Sequence, residues 1–198
     1  MEKRLSILSL SLFLFFAVGC NRATDPQNSE TESNALTDNG GRNTPEELQT
    51  ETNVDDDAIG FMKKAAHAST MEVEFGKVAQ EKAQNPRVKS FAEMMVRDHT
   101  TTNKALLQLG TAKNVIINVT MTPEHKKHLE EMKKLSGAAF DQHYMNMMVN
   151  DHAKDIKEFE LAADNRDPEV NQFANKTLTV LRSHLDSAKA IHASLPKQ

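Results

Sequence analysis

The chain has 198 residues, a formal charge of −4 and a charged fraction of 26%, which leaves room for one domain of ordinary size plus tails. That balance offers no basic face of the kind phosphate recognition needs, so nucleic acid is not an expected partner. Trp is absent, Tyr occurs once, and Gly and Pro number only 7 and 6, a profile that favours helix over sheet.

At the start of the chain, Lys3 and Arg4 precede an apolar run from Leu5 to Val18. The run is shorter than the about 20 residues a membrane-spanning helix needs. Ala17 and Gly19 then lead into Cys20, the single cysteine, so no disulfide within the chain is available to stabilise a fold. This arrangement resembles the bacterial lipoprotein signal, in which the cysteine is acylated and becomes the new N-terminus. Residues 1–20 are therefore expected to be a signal peptide ending at a lipidated Cys20. The expected location is the cell envelope, either as an outer-membrane lipoprotein or facing the periplasm, with the lipid anchor as the contact to the membrane. The protein or other envelope partner is left unspecified.

Residues 21–54 are rich in Asn, Thr, Ser, Glu and Asp, with Gly40 and Gly41 in the middle. Such a stretch cannot bury enough apolar surface to offset its ordering entropy. It reads as a polar linker spanning on the order of 30 Å, with one short helix start at Thr44-Pro45-Glu46-Glu47.

Residues 55–196 repeat apolar side chains at helical spacing. A first helix is expected from about Asp56 to Gln84, with Ala65, Ser69, Glu72, Gly76 and Ala79 on one stripe. Asn85-Pro86 caps a second, running to about Thr111, with Val88, Phe91, Ala92, Met95, His99 and Leu106 on one side. After an extended connection from Asn114 to Thr120, Thr122-Pro123-Glu124 opens a short helix that stops at Gly137. A third long helix, from about Ala138 to Asn165, is expected to bury Phe140, Met145, Met148, His152, Ile156 and Phe159. Asp167-Pro168 caps the fourth, which shows Phe173, Thr177, Leu181, His184, Ala188 and Ile191 and ends near Pro196. Four long helices of similar length joined in pairs by very short turns imply antiparallel hairpins. The expected fold is all-α: an antiparallel four-helix bundle, ferritin-like, with one extra short helix between the second and third.

Internal echoes fit that arrangement. Asn85-Pro86-Arg87-Val88 and Phe91-Ala92 return as Asp167-Pro168-Glu169-Val170 and Phe173-Ala174, and His67 to His99 spans the same interval as His152 to His184. Two hairpins related by a pseudo-twofold axis, as in ferritin-like bundles, would produce such repeats.

The motifs Glu72-Val73-Glu74-Phe75-Gly76-Lys77-Val78-Ala79, Phe91 through Met95-Val96 to Asp98-His99, Gly137-Ala138-Ala139-Phe140-Asp141 with Tyr144, Met148-Val149 with Asp151-His152, and Leu181 through His184-Leu185 resemble the bacterial domain-of-unknown-function family 4142. The resemblance runs from about Ile59 to Leu195. It implies a ferritin-like fold and an outer-membrane association, and it implies no activity.

Four residues carry the candidate chemistry: Glu72, His99, His152 and His184, one polar group per long helix, all directed to the interior by their spacing. A carboxylate among apolar side chains is expensive unless paired. One reading is a hydrogen-bonded polar layer that fixes helix register, with histidines donating to Glu72 or to an Asp on a neighbouring helix. The other is a mononuclear metal site for Fe, Mn or Zn with Glu72, His99, His152 and His184 as ligands. A standard di-iron centre is not expected. It uses Glu-x-x-His on two helices, whereas Val96 stands three residues before His99 and Leu181 three before His184. Asp98 and Asp151 sit beside their histidines, but residues adjacent on a helix point about 100° apart, so neither Asp–His pair is a ready chelate; pairing with Arg or Lys at the surface is the alternative to accepting from a histidine of a neighbouring helix. Met94, Met95, Met145, Met147 and Met148 read as core filling, and His125 and His128 as solvent-facing.

The functional expectation is an envelope lipoprotein whose helical domain, of unknown biochemical activity, acts as a non-catalytic binding or stress-related module. The alternative is a metal-binding ferritin-like protein, possibly an oxidoreductase. No Ser–His–Asp set, phosphate-cradling loop or catalytic cysteine is apparent, and whether the domain is an enzyme stays open, with a non-catalytic role the leading expectation.

Overall fold

The helices begin where the sequence supplies acceptors for their first N–H groups. Asp55 accepts from the Ala58 N–H at 2.8 Å, Asn85 from Arg87 at 2.9 Å and Thr122 from His125 at 3.1 Å. Asp167 accepts from Glu169 and Val170 at 2.9 and 3.1 Å. Asn85, Thr122 and Asp167 are each followed by proline, whose missing N–H is no loss at a first helical position. A computed structural model describes residues 54–196. They form α1 (Asp56–Lys82), α2 (Pro86–Ala112), α3 (Pro123–Lys133), α4 (Gly137–Ala163) and α5 (Pro168–Ser194), with no strand among the described residues. The signal run, Cys20 and the helix start expected at Thr44 lie outside the described residues. Val54, assigned by composition to the linker, is buried against the helices.

α3 is shorter than expected. It ends at Lys133, and Gly137 opens α4 with φ of +60°, a left-handed conformation that favours glycine. The Ser136 cap position there makes no side-chain hydrogen bond.

Each long helix has 27 residues, about 40 Å of length. The short turns between α1 and α2 and between α4 and α5 fold each pair back on itself. α1 lies along α2 and α4 along α5. Narrower contacts join α1 to α4 and α2 to α5, and α3 rests on α1 and α4. Buried Asp141 ties the two hairpins together, accepting from the backbone N–H groups of Gln84 and Asn85 at 3.0 and 2.8 Å. Gly76 sets the closeness of α1 and α2, since a Cβ there would stand 2.9 Å from Val96 Cγ2 and 3.2 Å from the Ala92 carbonyl oxygen.

The connection after α2 turns at Asn114, with φ of 56°, and the Val115 N–H returns to the Gly110 carbonyl at 2.8 Å. It then runs extended, with alternate residues inward: Val115 and Ile117 are each 8% exposed, Ile116 80%.

The interior consists of two apolar clusters, one around Phe75, Phe91, Phe140 and Tyr144, the other around Met62, Leu106, Phe159 and Leu178. Between these sets in sequence fall the buried polar residues Ser69, His99, His152 and His184, with buried Glu72 just inside the first set, between Met71 and Phe75. Ile156 and Phe173, expected in the core, are only partly buried and pack on the edge of the second cluster.

Candidate metal centre

Helix spacing delivers each of the four singled-out side chains to the interior. Met95 precedes His99 by one turn, Met148 precedes His152 by one turn, and Glu72 lies one turn before Gly76; all of these are buried. Three rings come from three helices. One ligand-capable nitrogen each from His99, His152 and His184 lies within 4.8 Å of the other two. Ring centroids are 5.4 to 5.7 Å apart.

Glu72 stands behind two of these rings. Its Oε2 lies 2.9 Å from His99 Nδ1 and its Oε1 lies 3.2 Å from His152 Nδ1. The third ring has its own carboxylate: His184 Nε2 lies 3.0 Å from Asp98 Oδ2. The Arg97 guanidinium in turn donates to Asp98, at 2.8 and 3.3 Å. Ser69 completes the set. Its hydroxyl donates to the His99 carbonyl at 3.0 Å and its oxygen lies 3.3 Å from His99 Nδ1.

These contacts assign the ring protons. His152 Nδ1 lies 3.0 Å from the Met148 carbonyl, an acceptor only, so Nδ1 carries the proton and Nε2 a lone pair. His184 Nε2 faces a carboxylate, so Nε2 carries the proton and Nδ1 a lone pair. His99 Nδ1 is hydrogen-bonded to the Ser69 hydroxyl oxygen, whose own proton goes to the His99 carbonyl, and lies 2.9 Å from Glu72 Oε2; its Nε2 is buried with no partner. All three outward nitrogens are thus donors, and the three remaining ones are lone pairs. His152 Nε2 and His184 Nδ1 face each other at 3.4 Å with no proton assigned between them. Glu72 Oε1 lacks a hydrogen bond as well, because the His152 proton is directed at Met148.

Electrostatics keep the rings neutral. Burial holds His99, His152 and His184 down at about 4, and for His184 the hydrogen bond to Asp98 opposes that shift. Glu72 is pushed up to about 7 by burial, with His152 opposing and Asp151 adding to the rise. The Tyr144 hydroxyl, fully buried and without a partner, is pushed upward by burial and then by Glu72.

A cation fits this arrangement. Three neutral imidazoles with inward lone pairs form a facial donor set for a first-row metal. Tetrahedral Zn–N bonds of about 2.0–2.1 Å hold ligand nitrogens about 3.4 Å apart. The outward N–H groups meet Glu72, Asp98 and a backbone carbonyl, the partners that orient metal-bound histidines.

Of the four residues that spacing singled out, the structure thus converges the three histidines and sets Glu72 at their outer nitrogens. Asp98 meets Arg97, the surface cation expected for it, and also holds His184, a contact of the kind expected between a histidine and an Asp on a neighbouring helix. The 100° offset from His99 that argued against chelation aims it at α5. Ser69 was read only as part of an apolar stripe. His67, paired with His99 in the sequence echo, turns away, its Nδ1 2.6 Å from the Thr120 carbonyl. Met95, Met145 and Met148 are fully buried within the first apolar cluster, with Met94 and Met147 at its edge. His128 is exposed as expected, whereas His125 is partly buried and its Nδ1 is shielded.

No described helix is long and apolar enough to cross a membrane. Among curated proteins none matches the chain. Its fold is similar to the crystal structure of a DUF305 fragment from Deinococcus radiodurans. That similarity has a TM-score of 0.64 at 13% identity, covering 72% of this chain and 99% of the other, and it is a likeness of fold. The model of the family described as domain of unknown function (DUF4142) matches residues 43–191, so the chain belongs to that family.

Proposed function

We propose that this protein binds one divalent transition-metal ion at the centre of a ferritin-like four-helix bundle, with His99 Nε2, His152 Nε2 and His184 Nδ1 as ligands. In this reading Glu72 and Asp98 orient the rings from outside and are not ligands. The observation that carries it is the convergence of three buried rings from three helices, one ligand-capable nitrogen of each lying within 4.8 Å of the other two. An all-imidazole set suits zinc or iron better than manganese, which takes carboxylate and water. When bound, such an ion supplies a Lewis-acid centre with a coordination position left over.

The close approach of His152 and His184 supports a second reading, the hydrogen-bonded polar layer. The contacts of His99 with Glu72 and of His184 with Asp98 suit that reading equally. Elemental analysis of protein purified without a metal-affinity tag separates the two. Metal binding expects near-stoichiometric zinc or iron that disappears in His99→Ala and His152→Ala. A polar layer expects no metal and variants that are merely less stable.

The location proposed for this module is the cell envelope, held by acyl chains on Cys20 through a polar tether. Cys20→Ser should move the protein from the membrane fraction to the soluble one, and membrane association that survives the substitution would refute the anchor.

A further inference from the structure

A buried metal centre needs a way in. A divalent ion cannot cross either apolar cluster without losing its hydration to groups that offer nothing in return. On the α2–α5 side, Asp98 is engaged by both His184 and the Arg97 guanidinium.

The remaining flank is different. A cleft of about 420 Å³ lies where α3 rests on α1 and α4, lined among others by His125, His128 and Glu131 of α3, Asp151 and Asp155 of α4, and Met71 of α1. Its inner wall adjoins the centre in sequence on both sides: Met71 precedes Glu72, and Asp151 precedes His152. Asp155, half-buried on α4 one turn after Asp151, continues the same wall of the cleft. His125 Nδ1 is shielded from solvent and has no partner. Imidazoles and carboxylates with open lone pairs replace the water ligands of a divalent ion stepwise, and in the lining Glu124, Glu131 and Asp151 outnumber the single cation Lys154, a balance that concentrates cations at the mouth.

We propose that this cleft beneath α3 admits the metal ion. His125, His128 and Glu131 capture it, and the ion passes through the α1–α4 seam by way of Asp155 and Glu72 to the three histidines. The inference rests on the three-histidine reading and adds its route of loading. Affinity is set at the centre and rate at the cleft.

Stopped-flow uptake of cobalt(II) by the full-length, metal-stripped protein tests this, read by the d–d absorption of the bound ion. The expected result is a loading rate lower by about tenfold or more in the His125→Ala/His128→Ala pair and in Asp155→Asn. The final absorbance should be that of the unmodified protein. His128→Ala alone, at an exposed position, gives a smaller slowing and serves as the variant least able to disturb folding. Unchanged rates in all three variants would overturn the route while leaving the centre intact. So would faster loading in Arg97→Ala with the α3 variants unaffected, because that result puts the opening at Asp98. If the unmodified protein takes up no cobalt, the three-histidine reading falls and the route falls with it.

Discussion

Glu72 has one oxygen 2.9 Å from His99 Nδ1 and the other 3.2 Å from His152 Nδ1, so one carboxyl stands behind two rings and is placed to orient that of His99. An orienting role predicts graded damage. Glu72→Gln should weaken metal binding about 10–100-fold, whereas His99→Ala should abolish it, as measured by competition with a chromophoric chelator. The same residues set the pH dependence of the metal-free fold. The three histidines are held at about 4 against an ordinary 6.5. Their contribution is fully present above pH 6.5 and is lost as pH falls towards 4, where the unfolded chain takes up protons the fold refuses. Glu72 and Asp155 act oppositely, held at about 7 and about 8 against 4.5 and 3.8. The fold keeps their protons after the unfolded chain has released them, so that contribution disappears as pH rises through 7 and 8. Between pH 6.5 and 8 the histidines no longer contribute a slope, and urea unfolding midpoints should decline. Glu72→Gln should flatten that decline, and a midpoint that climbs through this range would contradict the assignment.

At the level of helices, two contacts fix how the hairpins meet. Gly76→Val would drive a side chain into Val96 and the Ala92 carbonyl and should destabilise by about 1–3 kcal/mol. Asp141→Ala would strip the Gln84 and Asn85 N–H groups of their shared acceptor, at about 3 kcal/mol. Both are read by chemical unfolding. The helices themselves were legible because capping residues, prolines and 3.6-residue periodicity act within a few positions of each other. Asn85-Pro86 and Asp167-Pro168 start α2 and α5 as read. The end of α3 was not legible, because Lys134 to Ser136 carry no breaker and only the left-handed Gly137 marks the change. The convergence of His99, His152 and His184 followed from their stripes. An Asp on a neighbouring helix was expected as a histidine partner, but the pairing of Asp98 with His184 was not legible, because it depends on how far α5 lies from α2, which no single-helix pattern encodes. His67 shares the interval of the echo but not the site, because the helix turns it towards Thr120.

For the molecule as a whole, the polar layer draws on all four long helices, so an ion held there would join both hairpins at their middle. Metal should therefore raise global stability, by about 2.7 kcal/mol at a hundredfold excess over Kd, or roughly 5–10 °C in Tm for a domain of this size. The increase should vanish in His184→Ala even where that variant folds. The most direct test is X-ray absorption at the zinc edge of the full-length protein loaded with one equivalent. The account expects three imidazole nitrogens at about 2.0 Å, with Glu72 outside the coordination sphere. Zinc washed away by dialysis, or bound chiefly by carboxylate oxygens with the same spectrum in His99→Ala, would contradict it.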